Sequence, residues 1–146
     1  MRNLCRVMVT VGGLLMGIAQ MAQAADAPSA ANQALIRQVI QAQLDAFRQD
    51  DAAAAFSFAS PTIQAMFGTA ERFMAMVRGG YQPVYRPREV AFQPLRVIED
   101  QVIQPVTVVG PDGEPVIALY KMEWLDAEKV WKINGCVLAQ SPDKGA

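Results

Sequence analysis

The part of the chain richest in binding chemistry is residues 81–88, Tyr-Gln-Pro-Val-Tyr-Arg-Pro-Arg. Its prolines restrict the backbone, and Tyr81 and Tyr85 offer aromatic contact area. Arg86 and Arg88 carry forked donors that match a carboxylate or a phosphate. We therefore predict that these four side chains bind a ligand.

The same arginines could instead serve only as anchors. A proline-rich connection from a helix to a sheet has to be fixed to the rest of the fold. Arg86 and Arg88 could fix it by pairing with a nearby acid, namely Glu89, Glu99 or Asp100. The sequence leaves both interpretations open.

A polar side chain inside an apolar helix stripe is the second candidate. A helix advances by about 100° per residue, which places Gln43 among Ile40, Leu44 and Phe47. Burying an amide is costly unless it is hydrogen-bonded. Gln43 could bond to the backbone or to Tyr120 within the core, or it could point into a cavity. Gln43 and Tyr120 complete our predicted ligand-binding residues.

The chain contains no histidine. This excludes Ser-His and Cys-His nucleophilic sites and removes the commonest transition-metal ligand. The two cysteines are Cys5 and Cys136, and Cys5 lies in the N-terminal segment described next. We expect Cys136 to be a small buried residue rather than a nucleophile or half of a disulfide. We therefore predict no catalytic residue, no metal site and no cofactor.

The N-terminus has the three parts of a secretory signal peptide. Arg2 and Arg6 form a positive start, residues 7–18 are almost wholly apolar, and residues 22–24 are Ala-Gln-Ala. The small-x-small pattern fits the pockets of a signal peptidase. The alternative is an uncleaved membrane anchor, but a spanning helix needs roughly 20 apolar residues, and this run is shorter.

We predict cleavage after Ala24, so that the mature chain begins at Ala25 in the periplasm or outside the cell. Residues 25–31 and 142–146 would then be flexible ends around a single domain, residues 32–141. Cleavage removes two arginines and no acid, so the mature chain is more acidic than the net charge of −1 for the full sequence. Such a chain has no electrostatic reason to bind nucleic acid or an anionic membrane.

Helices fill the first half of the predicted domain. Asn32 could cap a long helix to Gln49, and Asp50 could cap a short second helix. Ser60-Pro61 is a strong start signal for a third helix. Thr69 could cap a fourth, which Gly79-Gly80 would end by supplying a positive φ.

The second half has the pattern of β-strands. We predict strands near residues 88–99, 101–109, 115–125 and 129–140. Short connections imply an antiparallel meander. Pro94 and Pro105 lack an amide hydrogen and should therefore lie at a bulge or an edge, and Gly135 could sit at a further bulge. The chain is thus predicted to be α+β, with helices on one face of a four-stranded antiparallel sheet.

Several stretches resemble a known family. They are residues 55–61 (Ala-Phe-Ser-Phe-Ala-Ser-Pro) with the Ile-Gln and Phe-Gly pairs that follow, residues 73–77, and residues 81–87. Over about residues 35–140 they are similar to small exported bacterial proteins catalogued as domain of unknown function 4864. Residues 131–135 (Trp-Lys-Ile-Asn-Gly) are similar to the last strand of the nuclear transport factor 2-like, or cystatin-like, superfamily.

The resemblance implies a cone-shaped α+β fold with the long first helix across a curved sheet. It implies no single function, because that superfamily holds isomerases, dehydratases and transport adaptors. We expect a non-catalytic binding or accessory module that holds a small, partly apolar or anionic ligand, or a protein partner, at the cone mouth. The alternatives are a cone-pocket enzyme of isomerase or dehydratase type, using Asp, Tyr or Gln for proton transfer, and a structural homodimer through the open sheet face.

Overall fold

A computed structural model of the protein describes residues 27–141. The predicted signal peptide, its cleavage site between Ala24 and Ala25, and the C-terminal residues 142–146 lie outside the described residues. Within them the helices are α1 Ala30–Arg48, α2 Ala52–Ser57, α3 Pro61–Phe67, α4 Ala70–Gly80 and α5 Gln82–Tyr85. The strands are β1 Glu89–Phe92, β2 Arg96–Ile98, β3 Gln101–Val109, β4 Pro115–Leu125 and β5 Val130–Gln140.

The long first helix begins two residues before the predicted start. Ser29 is its N-cap, and the Ser29 hydroxyl accepts a hydrogen bond of 3.2 Å from the amide of Asn32. Asn32, the predicted cap, instead accepts a hydrogen bond from the Trp131 indole at 3.2 Å. This contact joins the start of α1 to β5.

The cap of α2 also differs from the prediction. Asp51, not Asp50, accepts the capping hydrogen bond from the amide of Ala54, at 3.0 Å. Asp50 has a φ of +53° and connects the two helices. Its carboxylate is therefore free to bind side chains elsewhere, which the sequence pattern did not reveal.

The caps of α3 and α4 are confirmed at Ser60 and Thr69. The end of α4 is different from the prediction, because Gly79 and Gly80 remain helical and neither has a positive φ. A further turn of helix, α5, follows directly. It contains Pro83 in its first turn, where a proline is tolerated because the amide there has no helical partner.

The sheet is antiparallel in the order β1-β3-β4-β5, and β2 also pairs with β3. The predicted first strand, residues 88–99, is thus two strands, and the sheet has five strands rather than four. The interruption falls at Pro94, which cannot donate to the ladder. The α+β architecture, with helices before an antiparallel sheet, is confirmed.

Pro105 lies inside the sheet, in β3, where it pairs with Leu119 of β4. Its carbonyl accepts a 3.0 Å hydrogen bond from the amide of Gln93, so its nitrogen also faces the break between β1 and β2. The side-chain amide of Gln104 bridges this break. Its nitrogen donates to the backbone carbonyls of Gln93 at 2.6 Å and Pro105 at 2.9 Å. Pro105 is therefore placed opposite the interruption that Pro94 causes, not at a sheet edge.

The predicted irregularity near Gly135 is present. Gly135 pairs with Lys121, whereas Ile133 pairs with Met122, so Asn134 is an extra residue in β5. Such a bulge bends its strand. Next to this bulge, β5 is hydrogen-bonded to the connection between α2 and α3, because the Ile133 amide donates to the Phe58 carbonyl at 2.9 Å.

The helices and the inner face of the sheet share one core. The core side chains with no exposed surface come from α1, α2, β3 and β4: Ile36, Ile40, Leu44, Ala55, Val106, Val108 and Ala118. No helix within residues 27–141 is long and apolar enough to cross a membrane.

Candidate functional site: a cavity between helices and sheet

A cavity of about 300 Å³ lies between the helices and the last two strands. Helices α1, α3, α4 and α5 form one side, and β4 and β5 form the other. Its apolar lining comprises Phe47, Ala59, Ile63, Met66, Phe67, Phe73, Met76, Val77, Val84, Ile133 and Gly135. The remaining lining residues are Gln43, Tyr81, Tyr120 and Cys136. None of the side chains that line this cavity is an acid, lysine or arginine.

The helical wall is built from aromatic rings around Phe73. The ring centroid of Phe73 lies 6.2 Å from that of Phe47, 5.5 Å from that of Phe56 and 5.6 Å from that of Phe67. Tilted and edge-on contacts of this kind are favourable for aromatic pairs. Three short helices can therefore present a continuous apolar surface.

Methionines border the opening of the cavity. Met66 lines it and is nevertheless 68 % exposed, and Met76 is half-buried. Methionine has three rotatable bonds and a polarisable sulfur, so it adapts to different apolar shapes. The entrance is thus both apolar and deformable.

Three polar lining residues, Tyr81, Tyr120 and Cys136, lie close together, and we call them the polar end. Tyr120 and Cys136 are cross-strand partners in β4 and β5 and so lie on the same face of the sheet. Tyr81 donates a 3.2 Å hydrogen bond from its hydroxyl to the Cys136 carbonyl. Cys136 thus connects the two tyrosines.

Burial keeps both Tyr120 and Cys136 protonated. Tyr120 is 1 % exposed, and loss of hydration, with a smaller effect of Cys136, raises its pKa well above the ordinary range. Burial of the thiol raises the pKa of Cys136 to about 12, although the residue as a whole is only half-buried. The Tyr120 hydroxyl lies near this thiol but makes no hydrogen bond of ordinary geometry among the described residues.

Gln43 lies in the core, as its helix position predicted, and it lines the cavity. It is 3 % exposed, and its amide nitrogen donates to the backbone carbonyl of Ala55 at 3.1 Å. The expected backbone partner is therefore present, and the partner is not Tyr120. The amide joins α1 to α2 and so holds the helical wall.

The structure divides the predicted binding segment. Tyr81 faces the cavity, whereas Tyr85 and Arg86 belong to a separate group, the Asp50 cluster, formed by Asp50, Arg78, Tyr85 and Arg86. Arg86 binds the Asp50 carboxylate at 2.9 Å and stacks 4.0 Å from the centroid of the Tyr85 ring. Arg78 approaches the same carboxylate at 3.4 Å.

The carboxylate at the centre of this cluster is held in its charged form. Tyr85 donates a hydrogen bond to it, and this bond, with the charge of Arg86 and a hydrogen bond from Arg78, lowers the pKa of Asp50. The expected pairing of Arg86 with Glu89, Glu99 or Asp100 is therefore wrong, because the distant Asp50 is its partner. Arg88 is exposed, beside Gly113 in the β3–β4 turn.

The predicted site residues thus fall into three places. Gln43, Tyr81 and Tyr120 meet at the cavity, Tyr85 and Arg86 lie in the Asp50 cluster, and Arg88 lies on the surface. Among residues 27–141, no three His, Cys, Asp or Glu side chains converge as a metal site requires.

A family model for the Domain of unknown function (DUF4864) matches residues 29–146. The chain belongs to that family. The match covers every helix and strand that forms the cavity of this DUF4864 protein. No curated protein matches the chain.

The DUF4864 chain is also similar to a solved structure, an NTF-2 like protein of unknown function from Burkholderia xenovorans LB400. The two are 12 % identical, with a TM-score of 0.46. The alignment covers 75 % of this chain and 87 % of the other.

Sequence patterns missed part of the DUF4864 cavity. Cys136 was expected to be a small buried residue, yet it lines the cavity and joins the two tyrosines. Strand alternation could have placed it beside Tyr120, had the register of β4 and β5 been known. No local signal identifies Met66 and Met76 as residues of the entrance, because only the packing of α3 against α4 brings them together.

Proposed function

We propose that this chain is an exported, non-catalytic binding module that holds a small, mostly apolar molecule in the cavity between its helices and sheet. One observation carries the proposal: a cavity of about 300 Å³ with a mostly apolar lining and few polar groups, three of which lie together at the polar end. Small-molecule sites usually have this composition, with few polar groups fixing the orientation of the ligand.

The protonation of the cavity's titratable groups favours a binding function over catalysis by proton transfer. An isomerase or dehydratase needs a group that accepts a proton at neutral pH. The two titratable groups buried in the cavity, Tyr120 and Cys136, have raised pKa values and hold their protons. Two acids lie close in sequence to the α1 residues that line the cavity, and both form ion pairs outside it. Asp45 pairs with Arg48, and Asp50 pairs with Arg86 in the Asp50 cluster.

Filling the cavity tests the binding proposal. The probe is N-phenyl-1-naphthylamine, a neutral apolar dye whose fluorescence rises out of water. In Met76→Trp the larger ring enters the cavity from α4, and we expect dye affinity to fall at least tenfold. Ala75→Trp adds the same ring to the exposed face of the same helix and should keep the affinity within twofold.

Two results would contradict the proposal. One is a wild-type chain that does not bind the dye above the level of an unrelated protein. The other is equal loss in both variants, which would place the dye outside the cavity. Circular dichroism on each variant separates loss of binding from loss of fold.

Export is the second part of the proposal, and its support is the sequence of residues 1–24. When the full chain is expressed in a bacterium, we expect a periplasmic product whose mass corresponds to a start at Ala25. Ala24→Leu should block processing, because a large side chain does not fit the peptidase pocket. A full-length product in the cytoplasm would contradict export without affecting the cavity.

A further inference from the structure

The Tyr120 hydroxyl is a buried polar group without a hydrogen-bond partner among the described residues. Tyr120 is 1 % exposed and lines the cavity. Buried hydroxyls are normally satisfied, and an unpaired one is unfavourable. Because Tyr120 lines the cavity, a ligand held there can supply the missing partner.

Within the protein, the Cys136 thiol interacts with this hydroxyl, but sulfur is a weak hydrogen-bond partner and the geometry is not that of an ordinary bond. Gln104, the cross-strand neighbour of Tyr120 in β3, also has an unpaired side-chain oxygen, but the two groups form no hydrogen bond with each other. The Gln104 amide is held by the carbonyls of Gln93 and Pro105, at the break in the sheet. Tyr81 already donates its hydroxyl hydrogen to the Cys136 carbonyl.

The polar end has hydrogens to offer a ligand. Tyr120 has an O–H group to donate, and the neighbouring Cys136 has a weakly donating S–H group. A carbonyl oxygen carries two lone pairs and can accept from both.

We infer that the cavity takes an uncharged apolar molecule bearing a carbonyl group, whose oxygen accepts a hydrogen bond from the Tyr120 hydroxyl. This inference rests on the proposed function. A carboxylate fits less well, because burying a charge without a counter-charge is costly and the lining has no cation. Arg86 and Arg88, which the sequence offers as ligands for an anion, do not line the cavity, and Arg86 is paired with Asp50.

A matched pair of ligands tests the inference. 2-Acetylnaphthalene and 2-ethylnaphthalene have nearly the same shape and differ by a carbonyl in place of a methylene. For the wild-type chain we expect the ketone to displace N-phenyl-1-naphthylamine about fivefold to tenfold more tightly, as one net hydrogen bond allows. 2-Naphthoate, with a charged carboxylate, should bind more weakly than the ketone.

Two tyrosine variants test whether the preference for the ketone over the hydrocarbon depends on the Tyr120 hydroxyl. Tyr120→Phe should bring the ratio of the two affinities to within twofold of one. Tyr85→Phe removes a hydroxyl outside the cavity, in the Asp50 cluster, and should keep the wild-type ratio. Since the Tyr120 hydroxyl makes no hydrogen bond of ordinary geometry in the protein, Tyr120→Phe should fold with a midpoint of thermal unfolding no lower than that of wild type.

The possible failures are distinguishable. If none of the naphthalenes binds the wild-type chain, the proposed function fails. If ketone and hydrocarbon bind equally, the proposed binding function stands and the carbonyl inference is overturned. That result is expected if Gln104 or a water molecule, and not the ligand, is the hydrogen-bond partner of the Tyr120 hydroxyl. Tighter binding of 2-naphthoate would overturn the choice of an uncharged ligand.

A second measurement needs only the wild-type chain. The carbonyl ¹³C resonance of labelled 2-acetylnaphthalene should move downfield on binding, relative to its position in hexane. A resonance that stays at the hexane position shows a carbonyl without a hydrogen bond and overturns the inference, even if Tyr120→Phe does not fold.

Discussion

At the residue scale, Cys136 shows how burial decides chemistry. Its thiol lies at the polar end beside the Tyr120 hydroxyl, and loss of hydration raises its pKa from an ordinary 9.0 to about 12. The thiolate is the reactive form of cysteine. A thiol held neutral in this way is a packing group and a weak donor, although it faces a cavity.

Cys136 should therefore react slowly in the folded chain. We expect iodoacetamide to label it at least tenfold more slowly at pH 8 in buffer than in 8 M urea, where the thiol is hydrated. Intact-mass spectrometry measures the rate. Equal rates in the two conditions would contradict the raised pKa.

The same shift predicts a loss of stability at high pH. The folded pKa is above the unfolded one, so between about pH 9 and pH 12 the unfolded chain loses a proton that the folded chain keeps, and stability falls as pH rises. Urea unfolding of wild type and Cys136→Ser at pH 8 and pH 10.5 tests this. The loss should be smaller in Cys136→Ser, whose hydroxyl does not titrate in this range, and a parallel fall in both chains would contradict it.

The Asp50 cluster gives a second prediction at this scale. Asp50 accepts hydrogen bonds from Tyr85, Arg86 and Arg78, and its pKa is lowered, so its contribution to stability is lost as pH falls below its ordinary pKa of 3.8. Asp50→Asn keeps the shape and tolerates the positive φ. We expect a lower midpoint of thermal unfolding at pH 7, by an amount that shrinks in 1 M salt.

Asp45→Asn is the matched control for that change. The Asp45 carboxylate is about as exposed as that of Asp50 but has a single ion pair, to Arg48 at 3.6 Å, and such pairs contribute little. An Asp45→Asn midpoint as low as that of Asp50→Asn would show that the cluster adds nothing beyond an ordinary surface pair.

At the element scale, Ser60 couples a helix to the sheet. Its hydroxyl accepts from the amide of Ile63 at 3.2 Å, capping α3, and donates to the Asn134 side chain in the β5 bulge at 2.7 Å. Its own amide donates to the Ile133 carbonyl at 2.8 Å. The cap is thus also the point at which α3 is fixed along the edge of β5, next to the cavity.

Removing this hydroxyl should cost more than removing an ordinary cap. Thr69, the control, caps α4 at 3.2 Å on the surface. Loss of a cap costs about 1 kcal/mol, so we expect about that for Thr69→Ala. Ser60→Ala also loses the bond to Asn134 and should cost about 2 kcal/mol in urea unfolding. Equal losses would mean that the contact with β5 is not stabilising.

At the scale of the whole molecule, one core joins helices and sheet, which predicts a single unfolding transition for residues 27–141. Ile40 of α1 is fully buried in this core. Ile40→Ala should lower the free energy of unfolding by about 2–5 kcal/mol, whereas Arg37→Ala, exposed on the same helix, should change it by less than about 0.5 kcal/mol.

Two probes of unfolding test the single transition. Far-ultraviolet circular dichroism follows the helices, and the fluorescence of Trp124 and Trp131 follows the β4–β5 hairpin. The two curves should coincide in wild type and shift together in Ile40→Ala. Separate midpoints would show that helices and sheet unfold independently.

A homodimer through the open sheet face stays a prediction at this scale. Val137 is 51 % exposed, and its cross-strand partner Leu119 lies on the same face. Light scattering of the purified chain measures the oligomeric state directly.

Local sequence features predicted most of the elements, because their causes are local. Ser60-Pro61 and Thr69 start helices through a side chain that bonds an amide three residues away. Period-two patterns predicted β3, β4 and β5 within about one residue. The cap at Asp50 was wrong because its neighbour Asp51 is equally suited, and the choice depends on the path of the chain between α1 and α2.

The site could be predicted only in part. Gln43 was found because a helix repeats every 3.6 residues, which is visible in one stretch of sequence. The partner of Arg86 was not found, because Asp50 lies 36 residues away. Several acids lie closer to Arg86 along the chain than Asp50 does. Sequence alone cannot rank these acids against an acid that only folding brings near.

By itself, the sequence determined the order of helices and strands, the α+β class, the absence of histidine chemistry and the presence of a signal-like N-terminus. The tertiary structure decided where the polar groups went. It placed Tyr81, Tyr120 and Cys136 at one end of an apolar cavity and paired Arg86 with Asp50 away from it. The reason is the range of the forces: backbone propensity and capping act over a few residues, whereas a cavity and the pKa values inside it depend on segments that are distant along the chain.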